Sequence, residues 1–350
     1  MRNQPTLLRR ILPALGILLL SGWLPVQALS PSAGTTVVLH PDAAPGDREI
    51  QRALDQLPAT GGVVVLAPGT YAIHRPLQLN RNHLTLRGSG DGTILRLADG
   101  ADCPVIILGS TAANPARPVH ELCLADLMID GNRRHQAVER WNDPSNLSGI
   151  QNNGIMIQGV SNSVVEHVVA AHCRSGGLVT ANGTRRLMVN GFTSYDNQFD
   201  GLACYRTENS VFTGLNLHDN QAAGISLDLD FDHNVISDST LSGNDLGIFM
   251  RRSSSNQFSD VTIRRSHHDG VFMAQWVGCT PTGCRLIPQT ECAGNRFSGL
   301  EIYDCGGVAF RVHDAACINN VIEDGIFSGN ASGGLVQAGA NLVRLQDVLD

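Results

Sequence analysis

Tyr205, Asp228 and Arg251 follow one another at a spacing of 23 residues. A phenol, a carboxylate and a guanidinium brought side by side would suit proton abstraction next to a sugar carboxylate. Arginine would pair with the substrate acid and acidify the neighbouring C–H, while tyrosine or a histidine carried the proton. His267 and His268 are placed beside this set, and histidine titrates near neutrality. The same row could also be a plain cross-strand ladder of compatible charges. A second set of carboxylates, Asp200, Asp245 and Asp269, would suit glycoside hydrolysis, which needs two carboxyls about 5–9.5 Å apart. Asp245 with Asp269 or with Asp200 fits that span. Asp200 and Asp269 alone, about 14 Å apart by rung spacing, do not. Aspartate before glycine is also an ordinary turn pair, the reading favoured for Asp200.

Three further groups bear on binding. Asp228, Asp230 and Asp232 alternate, which sets three carboxylates on one strand face and suits a hard cation such as Ca²⁺. Only Asp228 and Asp230 lie close enough to the inferred groove to hold one. Arg133, Arg134, Arg140 and Trp141 share one loop, where arginine can meet an acidic sugar and tryptophan can stack on its ring. A solvated basic loop that offsets an acidic body is the competing reading. Arg311 is placed in the same outward column as Arg251.

The elements that must hold these residues follow from a glycine period. Gly201, Gly224, Gly247 and Gly270 are each 23 residues from the next, with Gly154 and Gly177 upstream and Gly307 and Gly334 downstream in looser register. A fixed period in this range marks a stacked-repeat fold. At the first offset after glycine stand Ile155, Leu178, Leu202, Ile225, Ile248, Val271, Val308 and Leu335. At the third stand Ile157, Thr180, Cys204, Leu227, Met250, Met273, Phe310 and Gln337. Two apolar columns one position apart describe strands with alternate residues facing inward. The outward fourth offset then reads Gln158, Ala181, Tyr205, Asp228, Arg251, Ala274 and Arg311. Two further short strands per repeat complete a coil, and Asn209, Asn234, Asn256 and Asn320 recur between them as a candidate amide ladder. The expected fold is all-β, a right-handed single-stranded parallel β-helix with a short capping α-helix at its N-terminal end. It forms one domain over 29–350, with the cap over 47–71, regular coils over 154–350 and insertions at 130–153 and 275–294 that flank the glycine-led sheet.

The cap, Ile50-Gln51-x-Ala53-Leu54 followed by Gly61-Gly62-x-Val64-x-Leu66-x-Pro68-Gly69-x-Tyr71, resembles the entry segment of the pectate-lyase-like β-helix superfamily of lyases, epimerases, glycoside hydrolases and phage spikes. That resemblance implies a substrate groove on the outer face of the glycine-led sheet. It implies no particular reaction, because one fold hosts many functions. Mannuronan epimerases carry Tyr-Gly-[Phe/Ile]-Asp-Pro-His-[Asp/Glu], whereas the nearest segment here is Ala223-Gly224-Ile225-Ser226-Leu227-Asp228-Leu229. Of the polygalacturonase motifs only Phe199-Asp200-Gly201 has an echo.

Composition narrows the chemistry. All 25 basic residues are arginine, so a lysine base or Schiff base is excluded. Arg2, Arg9 and Arg10 precede an apolar run from Ile11 to Leu20 and a small-residue site at Val26-Gln27-Ala28, the pattern of an export signal over 1–28. A secreted, periplasmic or cell-surface location is expected, with no membrane contact after cleavage. The remaining 22 arginines face 32 carboxylates, a balance that argues against non-specific nucleic-acid binding. Nine cysteines leave one unpaired. Cys279, Cys284 and Cys292 suggest a local disulfide, Cys305 and Cys317 a second pair, and Cys204 a buried thiol. The leading expectation is a polysaccharide lyase or C5-epimerase acting on a uronate-containing polysaccharide. The alternatives are a glycoside hydrolase with paired Asp and a β-helix that binds glycan without turnover.

Overall fold

The computed structural model describes residues 34–41, 46–139, 151–275, 277–280, 283–286, 291–344 and 347–349. The expected export signal, Arg140 and Trp141 lie outside the described residues.

Apolar residues at alternate positions, bounded by glycine and asparagine, give short strands that each cover only one edge of a coil. Ten of them stack in parallel: Leu77–Leu79, Ile106–Gly109, Ile155–Gln158, Leu178–Ala181, Leu202–Tyr205, Ala223–Asp228, Leu246–Arg251, Val271–Ala274, Phe310–Val312 and Leu335–Gln337. Leu202, Ile225, Ile248 and Val271 stand in register, as the glycine period predicts. Together with Leu227, Met250 and Met273 they point inward and are fully buried. Each such side chain contributes about 1.5–3 kcal/mol of transfer free energy.

The reason for the glycine column is close approach. A Cβ on Gly247 would lie 2.3 Å from the Gly270 carbonyl oxygen and 2.5 Å from Ile263 Cγ2, so neighbouring coils leave no room for a side chain. The remaining strands form two more faces joined at a corner. Val160–Ala171, for example, pairs first with Thr184–Asn190 and then with Thr193–Tyr195. That corner is a column of left-handed residues, Asp126, His167, Gly191, Gly214, Asp238 and Asp260, mostly types that adopt this backbone at little cost. The architecture is a parallel β-solenoid, as expected. The one α-helix among the described residues, Gly46–Gln56, turns Ile50, Ala53 and Leu54 onto the first coil.

Four expectations need correction. A strand at Thr35–Leu39 precedes the helix and pairs with Gly62–Leu66, so the latter is not the first strand. Downstream of the 275–294 insertion the column slips by two residues. Val271 pairs with Phe310, so Ala309 and not Gly307 continues the glycine column, and Arg311 falls beside Phe272 at the second offset rather than beneath Arg251. Gly307 instead packs against Asp269, where a Cβ would meet Oδ1 at 2.3 Å.

The amide ladder runs from Ser210 through Asn234, Asn256, Asn295 and Asn320 to Asn341, each backbone N–H donating to the next side-chain oxygen at 2.9–3.0 Å. Asn209 is exposed, one position off the ladder. A second buried ladder, Asn197–Asn220–Asn244, lies just ahead of the glycine-led strands. Finally, Cys305 and Cys317 are free thiols, because Cys317 stacks over Cys292, whose N–H donates to its sulfur at 3.4 Å. Cys204 is a buried thiol, pushed up to about 12 by burial. Cys279 and Cys284 oppose one another in the backbone register of the antiparallel hairpin Val277–Thr280/Gly283–Leu286.

Candidate active site

The outward side of the ten-stranded sheet carries a small apolar cluster of its own. Ile107, Met156, Val179, Ala181 and Ala203 make it up, with Tyr205 packed at its edge. Alternation along each strand puts Tyr205 and Asp228 side by side in register on this face. Arg251 follows on the next strand. Its Nε and Nη2 donate to the two carboxylate oxygens of Asp228 at 3.0 and 2.9 Å, a bidentate fork. Asp228 is buried, 1 % exposed, while Arg251 keeps a quarter of its side chain in solvent. The guanidinium leans back along its strand over the Phe249 ring, 4.7 Å from the centroid. Phe249 in turn stacks on Phe272 with centroids 5.7 Å apart.

Asp200 joins this group electrostatically. It sits one residue before Gly201, 7 % exposed, and its Oδ1 accepts the Ala223 N–H at 2.9 Å. Burial pushes its carboxyl up to about 7. The Asp228 charge adds to the rise, while the Ala223 bond and the Arg251 charge oppose it. Burial also raises Asp228, against its pairing with Arg251. Tyr205 is held well above the ordinary phenol value by burial first, then by the negative charges of Asp200 and Asp228. The group therefore combines a neutral phenol, a carboxyl group forked by arginine and a carboxyl poised between its two forms near neutral pH.

The other expected residues divide. His267 and His268 are exposed, and His268 Nδ1 meets Asp245 Oδ1 at 2.8 Å. They precede Gly270, whereas Arg251 follows Gly247, so about 20 Å of strand separates them. The structure does not bring these histidines to Arg251. Asp269 occupies the same offset as Asp200, but Arg311 holds it through Nε at 2.6 Å and Nη2 at 3.2 Å. Arg133 is tied to Asp196 at 2.6 Å and is 14 % exposed, so it is not part of a solvated basic loop. Arg134 is exposed. Asp230 lies past the end of the strand, where Leu229 and Asp230 are both left-handed, and it pairs with Arg252 at 2.5 Å. With Asp228 on Arg251 and Asp230 on Arg252, the suggested Ca²⁺ pair already has cationic partners.

Turn chemistry accounts for the cap that Asp200 makes on Ala223 N–H, but not for its burial beside Asp228 and Arg251. Its signal was positional: the same offset as Asp269, with no arginine two residues into the following strand.

Comparisons with known proteins fit this architecture. The family model described as right handed beta helix region matches residues 129–245 and 229–347. No curated protein matches the sequence significantly. Among solved structures, the mannuronan C-5 epimerase AlgE6 A-module of Azotobacter vinelandii is similar at a TM-score of 0.53 and 16% identity, over 86% of this chain and 95% of that one. The polygalacturonase of Erwinia carotovora ssp. carotovora gives 0.54 and 11%, over 91% and 99%. The catalytic domain of a GH87 alpha-1,3-glucanase gives 0.57 and 13%, over 93% and 68%. At these identities the likeness shows the fold alone.

Proposed function

This chain belongs to the right handed beta helix family, a scaffold that leaves the reaction open, and we propose that it is a glycan-cleaving enzyme whose proton-transfer residue is Asp200. The observation that carries this reading is a buried carboxyl that burial pushes up to about 7, within electrostatic reach of a second buried carboxyl group paired with a bidentate arginine. A carboxyl that can hold its proton near neutrality, close to a second carboxyl group paired with arginine, suits a division of acid and base roles in glycoside hydrolysis. Asp200 gives its proton to the departing glycosidic oxygen. Asp228 faces the developing positive charge on the sugar, or takes the proton of an incoming water. Tyr205, neutral, donates a hydrogen bond to the sugar or to the ionised Asp200 after transfer.

Charge balance supports a hydrolase over the uronate lyase or epimerase. Arg251 and Arg311, which lie on this face, are each bidentate to an aspartate. Among the described residues, neither of these two guanidinium groups is left over to recruit a sugar carboxylate. The lyase or C5-epimerase remains the second reading, supported by the phenol of Tyr205 beside Arg251. Export directed by residues 1–28 belongs to the same proposal and is tested by the N-terminal residue of the secreted protein.

The activity test uses neutral and uronate-containing polysaccharides with two readouts. Hydrolysis releases reducing ends without absorbance from unsaturated uronate ends, and Asp200→Asn abolishes that release. Absorbance in step with new ends would establish a lyase. Solvent deuterium at C5 without cleavage would establish an epimerase. A protein that binds glycan and gives none of these signals would refute enzymatic function.

A further inference from the structure

A second group of reactive side chains lies on other coils, away from the sheet that carries Asp200. Left-handed backbone at His83 and Glu121 turns the chain at the same corner of two successive coils. The His83 N–H donates to the His120 carbonyl at 3.1 Å, which fixes the stacking of one turn on the other. This places three potential ligands together. His83 Nδ1 is 2.7 Å from Glu121 Oε2, and His120 Nδ1 is 3.5 Å from Glu121 Oε1. The two imidazoles meet edge to face at 5.2 Å. The ligand atoms of all three lie within 4.8 Å of one another, the one such triad among the described residues.

We propose that His83, His120 and Glu121 bind one divalent transition-metal ion, Zn²⁺ being the best match. Two imidazole nitrogens with one carboxylate suit Zn²⁺, Co²⁺, Ni²⁺ or Cu²⁺, whereas Ca²⁺ and Mg²⁺ require a shell of oxygens. Ligand atoms on a tetrahedral zinc stand about 3.4 Å apart, from bond lengths of about 2.0–2.1 Å. The two Nδ1–carboxylate distances bracket that value, so adjustment falls to the rings, which are 38 % exposed and able to turn. Three protein ligands leave a fourth position for water. An ordinary ion pair as exposed as this one contributes little to stability, about 0–1 kcal/mol.

A neighbouring side chain prepares the site. The Asn82 Oδ1 accepts the His120 N–H at 3.1 Å, and its Nδ2 donates to His120 Nε2 at 2.7 Å. That contact orients the ring and puts the ring proton on Nδ1, facing Glu121. Metal on Nδ1 places the ring proton on Nε2, which then needs an acceptor where Asn82 Nδ2 now stands. Outer-sphere acceptors of this kind tune metal affinity by about 10–100-fold. His120 also ends the 110–118 segment, whose Ser110 and Ala112 carbonyls accept from Gln158 Nε2 on the outer face of the ten-stranded sheet. The metal would therefore secure one foot of that segment.

The test titrates tag-free, chelator-treated protein with Zn²⁺ by calorimetry and with Co²⁺ by visible absorption, using Ca²⁺ as a control. One equivalent of Zn²⁺ should bind saturably and raise the Tm, and Co²⁺ should give tetrahedral ligand-field bands. His83→Ala and Glu121→Gln, both at the surface, should each weaken Zn²⁺ by about tenfold or more without altering circular dichroism. Asn82→Asp, which offers an oxygen in either orientation, should tighten it. Absence of saturable binding, or affinity unchanged in both ligand variants, would overturn the proposal. So would Ca²⁺ binding as tightly as Zn²⁺.

Discussion

Asp200 and Asp269 occupy the same place in two different coils, and their surroundings separate them. Each stands one residue before a glycine of the stacked sheet. Each caps the following coil, Asp200 Oδ1 accepting Ala223 N–H at 2.9 Å and Asp269 Oδ1 accepting Val308 N–H at 2.7 Å. Asp269 also receives the fork of Arg311, so its charge is matched. Asp200 receives no such fork. The cation that acts on it, Arg251, is committed to Asp228, and burial lifts its carboxyl to about 7. One aspartate is a structural cap; the other is a cap that can also exchange a proton at neutral pH. The coil supplies the position, and a single arginine two residues into the next strand decides which of the two it becomes.

The largest expected effect is on turnover. Asn at position 200 keeps the acceptor for Ala223 N–H and removes the proton. Asp200→Asn should therefore lower kcat by about 10²–10⁴-fold, the range of general acid–base catalysis, with the Tm held or raised. Asp269→Asn should leave kcat within a few-fold. Equal losses in the two variants would erase the distinction between them.

Arg251→Met should come next. It strands a buried carboxylate, and breaking a buried pair costs about 3–5 kcal/mol, with the lower end expected because Arg251 is a quarter exposed. Denaturant unfolding reads that loss. The same change removes a charge that lowers the Asp200 pKa, so the limb of the pH–rate profile set by Asp200 should move to higher pH.

The third effect is the pH dependence of stability. The Asp200 pKa is raised in the folded state, so between about pH 4 and 7 the unfolded chain loses this proton while the fold retains it. Stability contributed by the neutral carboxyl is thus fully present below about pH 4 and declines toward pH 7, by up to about 1.4 kcal/mol per pH unit. Asp200→Asn should abolish this component, and Asp269→Asn should preserve it. The smallest effect belongs to Tyr205→Phe, which removes one hydrogen-bond donor and should lower kcat by about tenfold. No change in kcat would place Tyr205 outside the reaction.

Much of this was legible in the sequence, for physical reasons that also explain where legibility ended. Coils that touch backbone to backbone admit only glycine at the contact, so Gly201, Gly224, Gly247 and Gly270 give the register directly. The row Tyr205, Asp228, Arg251 then follows by counting. Past the 275–294 insertion the same reasoning failed, because Gly307 answers a close contact with Asp269 while Ala309 takes the column. That two-residue slip moved Arg311 out of the Arg251 column and onto Asp269. His267 and His268 were misplaced because neighbouring rungs were read without their offsets: they stand seven and six residues ahead of Ala274, the register partner of Arg251, which strand rise converts to about 20 Å. Nor does spacing reveal side-chain lean or desolvation, which together make Asp200 distinctive. The triad of His83, His120 and Glu121 was silent because its halves sit in early coils of irregular length, 37 residues apart.

Carboxyl ¹³C NMR across a pH titration tests the contrast between the two aspartates most directly. The wild-type spectrum should contain a carboxyl titrating near pH 7 that disappears in Asp200→Asn and persists in Asp269→Asn. If no carboxyl titrates above about pH 5, in the ordinary range for aspartate and glutamate, or if the high-pH signal survives in Asp200→Asn, then Asp200 is only a cap and the proposed proton transfer is wrong.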